Sequence, residues 1–445
     1  MGYDKSKLSD ILGKILENAA PGGSDAPGAD RLILAGAGAS IHVGDPNNPI
    51  LAGVVPSEAG PGVVVSSKGV HAISAFCDEC LKDQELRSTV GRSAVLERIH
   101  DILREKMKGV DVTPTADFVR YQILQPLRSA VKHWEVFVPV INLEVERTIE
   151  FGEFTYLHRN VAEKAVTAPL GQHRYPGTAA ESDAQKMNVA SGLVRILGDS
   201  TCWMKFRVQA HIKLIPEVCP AKAAYGVNFL RCFCRILFGG KRGAIFGVPN
   251  DVQTFRWSYL YYDTDPHTSI NSHNTVGGGW LPCRIDSSAI TYLTDNWHFG
   301  EIDLVLRKPE KERNEVEGAL VQAMQSWGKS FTGFTNEDRL LSLVIGLERL
   351  LVCDGEQSTT ERLSDRLALH IGADANDKRD ISREAKRLYD LRSKIVHSAW
   401  TGIDEKDVTL AHNWLASAFL VLVENLAKFK SHREFCSCLD SRKFS

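Results

Sequence analysis

Two residues near the end of the stretch 378–400, KRDISREAKRLYDLRSKIVHSAW, have side-chain types compatible with a phosphate: Arg392 and, five residues later, His397. A guanidinium keeps its charge and grips phosphate oxygens in a bidentate way, whereas histidine can exchange protons in the neutral range. Cutting RNA without a metal needs a base for the 2′-hydroxyl proton, an acid for the leaving 5′-oxygen and a cation for the pentacoordinate phosphate. One such pair supplies a single imidazole. Two copies brought face to face across a two-fold axis would supply both proton-transfer groups.

The element that must position the pair is an amphipathic helix. Ile381, Ala385, Leu388, Ile395 and Ala399 recur at three- and four-residue steps, and Arg392 falls on that apolar stripe. A guanidinium there must snorkel out or be met by an anion. Glu348 borders the stripe of an earlier helix, Leu340, Val344, Leu347 and Leu351, and is the expected partner. A structural ion pair explains it as well as a catalytic role does, because breaking a buried pair is costly whatever the function. On an ideal helix His397 lies roughly 140° round from Arg392, so the two converge only if the helix ends or bends there. A buried structural histidine at the end of the bundle is the alternative for His397. From Lys378 to Lys394 there are seven Lys or Arg and three Asp or Glu, so Arg383, Lys386, Arg387 and Lys394 form either an RNA-binding face or a solvated one.

The run Leu388-Tyr389-Asp390-Leu391-Arg392-Ser393-Lys394-Ile395-Val396-His397 resembles the HEPN domain, specifically its Apea-like branch. The resemblance covers about residues 310–432. It implies an all-α domain that often dimerises, in which Arg392 and His397 form a metal-independent ribonuclease centre, frequently in bacterial defence or toxin systems. Ser393 stands where many relatives carry Asn, Asp or His, and with Glu348 it is read as a supporting residue. Arg128 and His133 repeat the same spacing. What sets the later copy apart is the basic amphipathic helix around it.

At 445 residues the chain has room for two or three domains. The expected organisation is an N-terminal helix and Gly/Pro-rich segment over 1–70, a mixed α+β sensing or regulatory domain over 71–308, and an all-α, HEPN-like helical bundle over 309–445. A net charge of −2 and a pI near 6.7 argue against a general nucleic-acid coating protein while permitting a local basic patch. No segment reaches the roughly 18–20 apolar residues needed to cross a bilayer. The first twenty residues are too polar for a signal peptide, so a cytoplasmic location with no membrane partner is expected. The ten cysteines are scattered and read as thiols. Cys77 and Cys80 have no second pair at zinc spacing, Cys232 and Cys234 being remote, so no metal and no cofactor is expected.

Along the chain, Leu8, Ile11, Leu12 and Ile15 predict a helix over 5–18. The apolar run Leu32–Ala35 leading to Gly36–Ser40 invites a nucleotide-loop reading, but the third glycine and following helix of a dinucleotide fingerprint are missing. Helices are predicted over 72–107, 114–132 and 221–237, and a hairpin around Gly152. Strict alternation over 202–214 predicts a strand with Cys202, Met204 and Phe206 buried and Trp203, Lys205 and Arg207 wet. After Pro309 the period becomes helical throughout, with Thr335 and Asp338 in a capping-box relation and a final helix over 405–430.

The expected activity is therefore endonucleolytic cleavage of RNA by a homodimer joined through its C-terminal domain, with an unknown trigger acting at the N-terminal domain. The competing readings are a non-catalytic RNA-binding, nucleotide-binding or dimerisation scaffold, and a nucleotide-binding enzyme built on a parallel sheet around Gly36–Ser40.

Overall fold

A computed structural model describes residues 3–21, 31–34, 63–172, 202–238, 246–248, 259–263, 271–273, 283–333, 335–398 and 401–442. The chain divides into two compact units, one of residues 1–134 with 208–219 and one of 135–207 with 220–445. No helix among the described residues is long and apolar enough to cross a membrane.

The first unit is helical around one core. Helix α1 (Lys5–Glu17) is opened by Asp4, whose carboxylate accepts from the Ser6 and Lys7 amides, and it buries Leu8, Leu12, Ile15 and Leu16. Strands β1 (Ala19–Pro21), β2 (Arg31–Leu34) and β3 (Val63–Ser66) form a sheet in the order β1-β3-β2, antiparallel at both junctions. The apolar run at Leu32 thus enters an antiparallel sheet, which removes the βαβ unit that a dinucleotide site requires. The loop Gly36–Ser40 itself lies outside the described residues. Helices α2 (Ser67–Cys80), α3 (Gln84–Thr89) and α4 (Gly91–Met107) complete the core with Phe76, Leu86, Ile99 and Leu103. Cys77 and Cys80 are buried in it as free thiols. The region predicted as one helix over 114–132 is a helical turn at Ala116–Phe118, a π-helix at Val119–Leu124 and α6 (Gln125–Ser129), the first turn being labelled α5. His133 follows in a strand, so Arg128 and His133, which repeat the spacing of Arg392 and His397, share no helix.

The second unit holds a six-stranded sheet of order β10-β9-β4-β8-β7-β6, where β4 is Lys132–Val140, β6 Ile149–Phe151, β7 Phe154–His158, β8 Cys202–Ala210, β9 Tyr259–Asp263 and β10 Asn271–His273; the ends of β4 and β8 belong to the first unit. Strand β5 (Leu143–Val145) pairs in parallel with β11 (Cys283–Ile285). The predicted hairpin is present: Phe151 pairs with Phe154, and Gly152 takes the positive φ of 63° that the turn demands. Strand β8 departs from the expected pattern, because Trp203 is as buried as Cys202 and Met204, and the strand ends at Ala210. Both faces are buried over its first three residues, so alternation overstated the exposure there.

Helices α7 (Arg159–Gln172), α8 (Ile215–Arg231), α9 (Cys234–Phe238), α10 (Ser287–Trp297) and α11 (Phe299–Arg307) accompany the sheet, and Phe299 stacks on Phe151 at 4.1 Å. Five longer helices follow: α12 (Glu315–Ser330), α13 (Asn336–Leu351), α14 (Thr359–Ile371), α15 (Ala375–Ser398) and α16 (Glu405–Glu424), with α17 (His432–Ser441) last. Among the described residues no strand interrupts 335–430. Helix α13 is central, packing on α12, α14, α15 and α16. Thr335 caps it by accepting from the Asp338 amide, and Leu340, Val344, Leu347 and Leu351 are buried as their spacing predicts.

The division between the units falls elsewhere than at residues 70 and 308. The helical bundle shares a unit with the sheet because α12 lies directly on α8. An added Cβ on Gly328 would stand 2.1 Å from the Asn228 carbonyl oxygen, Gln325 donates to the Tyr225 carbonyl at 2.8 Å, and the Cys232 thiol donates to the Met324 carbonyl at 3.1 Å. A close backbone approach with side-chain hydrogen bonds to backbone carbonyls on either side of it makes one packed body.

Candidate functional site

Helix α15 begins where the Asp374 carboxylate accepts from the Asn376 and Asp377 amides. It buries Ile381, Ala385 and Leu388 against α13 and α14. Ile395 is half-buried, and Ala399 lies outside the described residues. The apolar stripe thus runs out over its last two turns, where Arg392 and His397 sit.

Arg392 reaches inward. Its guanidinium stands 3.8 Å from the Glu348 carboxylate, with the two side chains 24% and 18% exposed. That is ion-pair reach but longer than a hydrogen bond. The guanidinium also lies over the ring of Tyr389, 5.5 Å from its centroid. Burial, then hydrogen bonding to Glu348, push the Tyr389 phenol above its usual range. The buried Nε of Arg392 has no hydrogen-bond partner among the described residues. Glu348, Tyr389 and Arg392 therefore form one half-buried polar cluster between α13 and α15. Ser393 is half-buried beside it, and its side chain makes no hydrogen bond with a described residue.

His397 reaches outward. It is exposed, and α15 runs through Ser398 without a break. The convergence of Arg392 and His397 required the helix to end or bend between them, and it does neither. Five residues of continuous helix turn His397 roughly 140° away from Arg392, so within one chain the two leave α15 on different sides. The reason is local: Ser393, Lys394, Ile395 and Val396 all continue the helical backbone.

The face His397 does share is the basic one. Eleven residues separate it from Lys386 and three from Lys394, which places all three within roughly 80° of arc on the outer surface of the helix. Lys386, Lys394 and His397 are exposed, and their side chains make no ion pair with a described residue. Arg383 and Arg387, expected to join them, are differently occupied. Arg383 pairs with Asp380 at 2.9 Å, and Arg387 pairs with Asp407 at 2.6 Å and with Glu384 at 2.8 Å. The Asp407 bond, more than Glu384, raises the Arg387 pKa further. Of the four cations expected on this face, Lys386 and Lys394 make no ion pair with a described residue, and they lie beside one imidazole.

Tyr389 was legible in the sequence as part of the motif, three residues before Arg392, yet its place over the guanidinium and against Glu348 was not. A second polar cluster was missed because α14 was not foreseen. Arg366 on that helix is 1% exposed. It donates to Glu356 at 2.6 and 2.7 Å, to Asp440 at 2.8 and 2.9 Å, and to the Leu351 carbonyl at 2.9 Å. Its signal was the same as for Arg392, a guanidinium on an apolar stripe, here with Leu363, Leu367 and His370.

Comparison of the chain with protein-family models, with curated proteins and with solved structures finds no match.

Proposed function

We propose that the C-terminal helices form an RNA-acting module of the HEPN kind: a metal-independent endoribonuclease of a bacterial defence or toxin type, working on RNA in the cytoplasm as a homodimer. The observation that carries this reading is the exposed His397 on the same face of α15 as Lys386 and Lys394, a proton-transfer group beside two unengaged cations. Because Arg392 faces away from His397 in one chain, the phosphate-gripping arginine and the general base of a single cut come from different copies in this reading. A two-fold axis beside the end of α15 would supply both imidazoles at once. Residues of the sheet and the first unit serve as the sensing or regulatory part.

A second reading, a non-catalytic RNA-binding or dimerisation scaffold, is favoured by one observation: Arg392 is already answered by Glu348 and Tyr389. The experiment that separates them incubates the full chain with total RNA, without added divalent metal, and maps the ends. Cleavage that His397→Ala abolishes, typically by 10²- to 10⁴-fold for a general acid–base group, supports the ribonuclease. Growth inhibition on expression should disappear with it. RNA that is bound and left intact by wild-type protein gives the scaffold its place, and RNA cut equally fast by the His397 variant takes His397 out of the cleavage reaction.

A further inference from the structure

Apart from the α15 face, one group of side chains among the described residues has the chemistry of a ligand set. Helix α13 ends at Leu351, and the chain turns through Cys353–Glu356: the Glu356 amide donates to the Cys353 carbonyl at 3.2 Å, and Gly355 takes a φ of 81°. The Glu356 carboxylate accepts from the Cys353 amide at 2.9 Å and is itself clamped by Arg366. The position of Cys353 is thereby fixed through its backbone. Seventy-nine residues later α17 opens at the Ser431 cap and presents His432 and Cys436 four residues apart, on one face. One ligand atom each from Cys353, His432 and Cys436 lies within 4.8 Å of the other two.

We propose that Cys353, His432 and Cys436 bind one divalent cation of the zinc class, tying α17 to the end of α13. Tetrahedral coordination at Zn–S near 2.3 Å and Zn–N near 2.0–2.1 Å sets ligand atoms ~3.5–3.8 Å apart, so a pair at the 4.8 Å limit closes in by roughly 1.0–1.3 Å. Two thiolates and a neutral imidazole match the charge and softness of Zn²⁺. His432 Nε2 lies 2.8 Å from the Leu350 carbonyl and must donate to it, which leaves the lone pair on Nδ1. The arrangement that keeps this bond coordinates through Nδ1, with the carbonyl orienting the ring as outer-shell partners of zinc-bound histidines do. Cys353 and Cys436 are 8% and 1% exposed, so the ion would sit largely out of water. Cys353 and His432 also line a cavity of about 940 Å³ with Arg313, Arg349 and Arg433, large enough for water to serve as a fourth ligand. Loading is written as two thiols and M²⁺ giving two metal-bound thiolates and two released protons, with no redox change. Burial holds both thiols above their usual range, and the guanidinium groups of Arg366, near Cys436, and Arg433, near Cys353, favour the thiolates.

The test uses the full chain, free of any histidine tag, kept reduced and titrated with Co²⁺. One equivalent should bind, with a thiolate-to-cobalt charge-transfer band in the near-ultraviolet and ligand-field bands of tetrahedral intensity; Zn²⁺ should displace it. Cys353→Ser and Cys436→Ser should each weaken that band, whereas Cys438→Ser, altering a neighbouring thiol on α17 outside the cluster, should leave it intact. Metal removal should speed hydrogen exchange in α17. Wild-type protein that takes up no Co²⁺, or binds it without a thiolate band, overturns the proposal, and neither result depends on a variant folding. A band that survives Cys353→Ser undiminished overturns it as well.

Discussion

The pairing of Arg392 with Glu348 can be measured as a coupling energy. Glu348→Gln keeps the shape of the side chain and removes its charge, and Arg392→Gln removes the other partner. At 3.8 Å the gross attraction is about 4 kcal/mol for an effective dielectric near 20. Most of that is offset, because each side chain gave up water to reach a half-buried site and the separation is too long for a hydrogen bond. Once the anion is gone Arg392 retains the Tyr389 ring, worth about 0.5–1 kcal/mol. Each single variant should therefore cost about 1–2 kcal/mol, and the double variant should fall short of their sum by about 1 kcal/mol. Urea unfolding followed by circular dichroism gives the stabilities, and hydrogen exchange of α13 and α15 locates the loss. A coupling below ~0.3 kcal/mol would refute the reasoning, since contacting residues in one polar cluster do not behave additively. The same variants report on chemistry: Glu348→Gln should leave RNA cleavage close to wild type. Full folding with cleavage abolished would move Glu348 from support into the catalytic machinery.

Lys386→Glu combined with Lys394→Glu should weaken RNA binding across sequences and lower the slope of log K against log salt by about 2, read by a filter-binding titration; an unchanged slope would take this face out of the interface. Arg366→Met should destabilise the second unit by about 3 kcal/mol, the low end for breaking a buried pair because Asp440 can rehydrate, and unfolding curves that match wild type would show the clamp to be idle. Acid should act on the first unit through His100, whose pKa burial lowers to about 4. Its unfolded value is near 6.5, so the unfolded chain binds the extra proton first: the contribution is fully present above pH ~6.5 and lost as pH falls towards 4, up to ~3 kcal/mol, and His100→Leu should flatten that limb of the stability profile. Gly328→Ala should cost about 1–3 kcal/mol by driving a Cβ into the Asn228 carbonyl, and a neutral result in thermal unfolding would mean α8 and α12 are free to part.

Many local angular repeats were legible in the sequence. Val316, Leu320, Met324 and Trp327 at helical spacing are all buried on α12, the Thr335 cap opens α13, and Gly152 turns the hairpin. Each depends on neighbours within a few positions, which the order of residues alone specifies. Which side of a helix meets which partner is not specified that way. The sequence named Arg392 and His397 and spaced them correctly, but α15 continues past Val396 and sends one inward to Glu348 and the other out beside Lys386 and Lys394. Trp203 read as a wet position, but both faces of β8 are buried over Cys202–Met204, while Arg207 and Gln209 stay exposed as the alternation predicts. The zinc-class cluster is the extreme case: His432 and Cys436 share a helix face by spacing, while Cys353 joins them only because Arg366 ties the turn after α13 to the far end of α17. Periodicity reports the angle at which a side chain leaves its own backbone, and only packing decides what is waiting there.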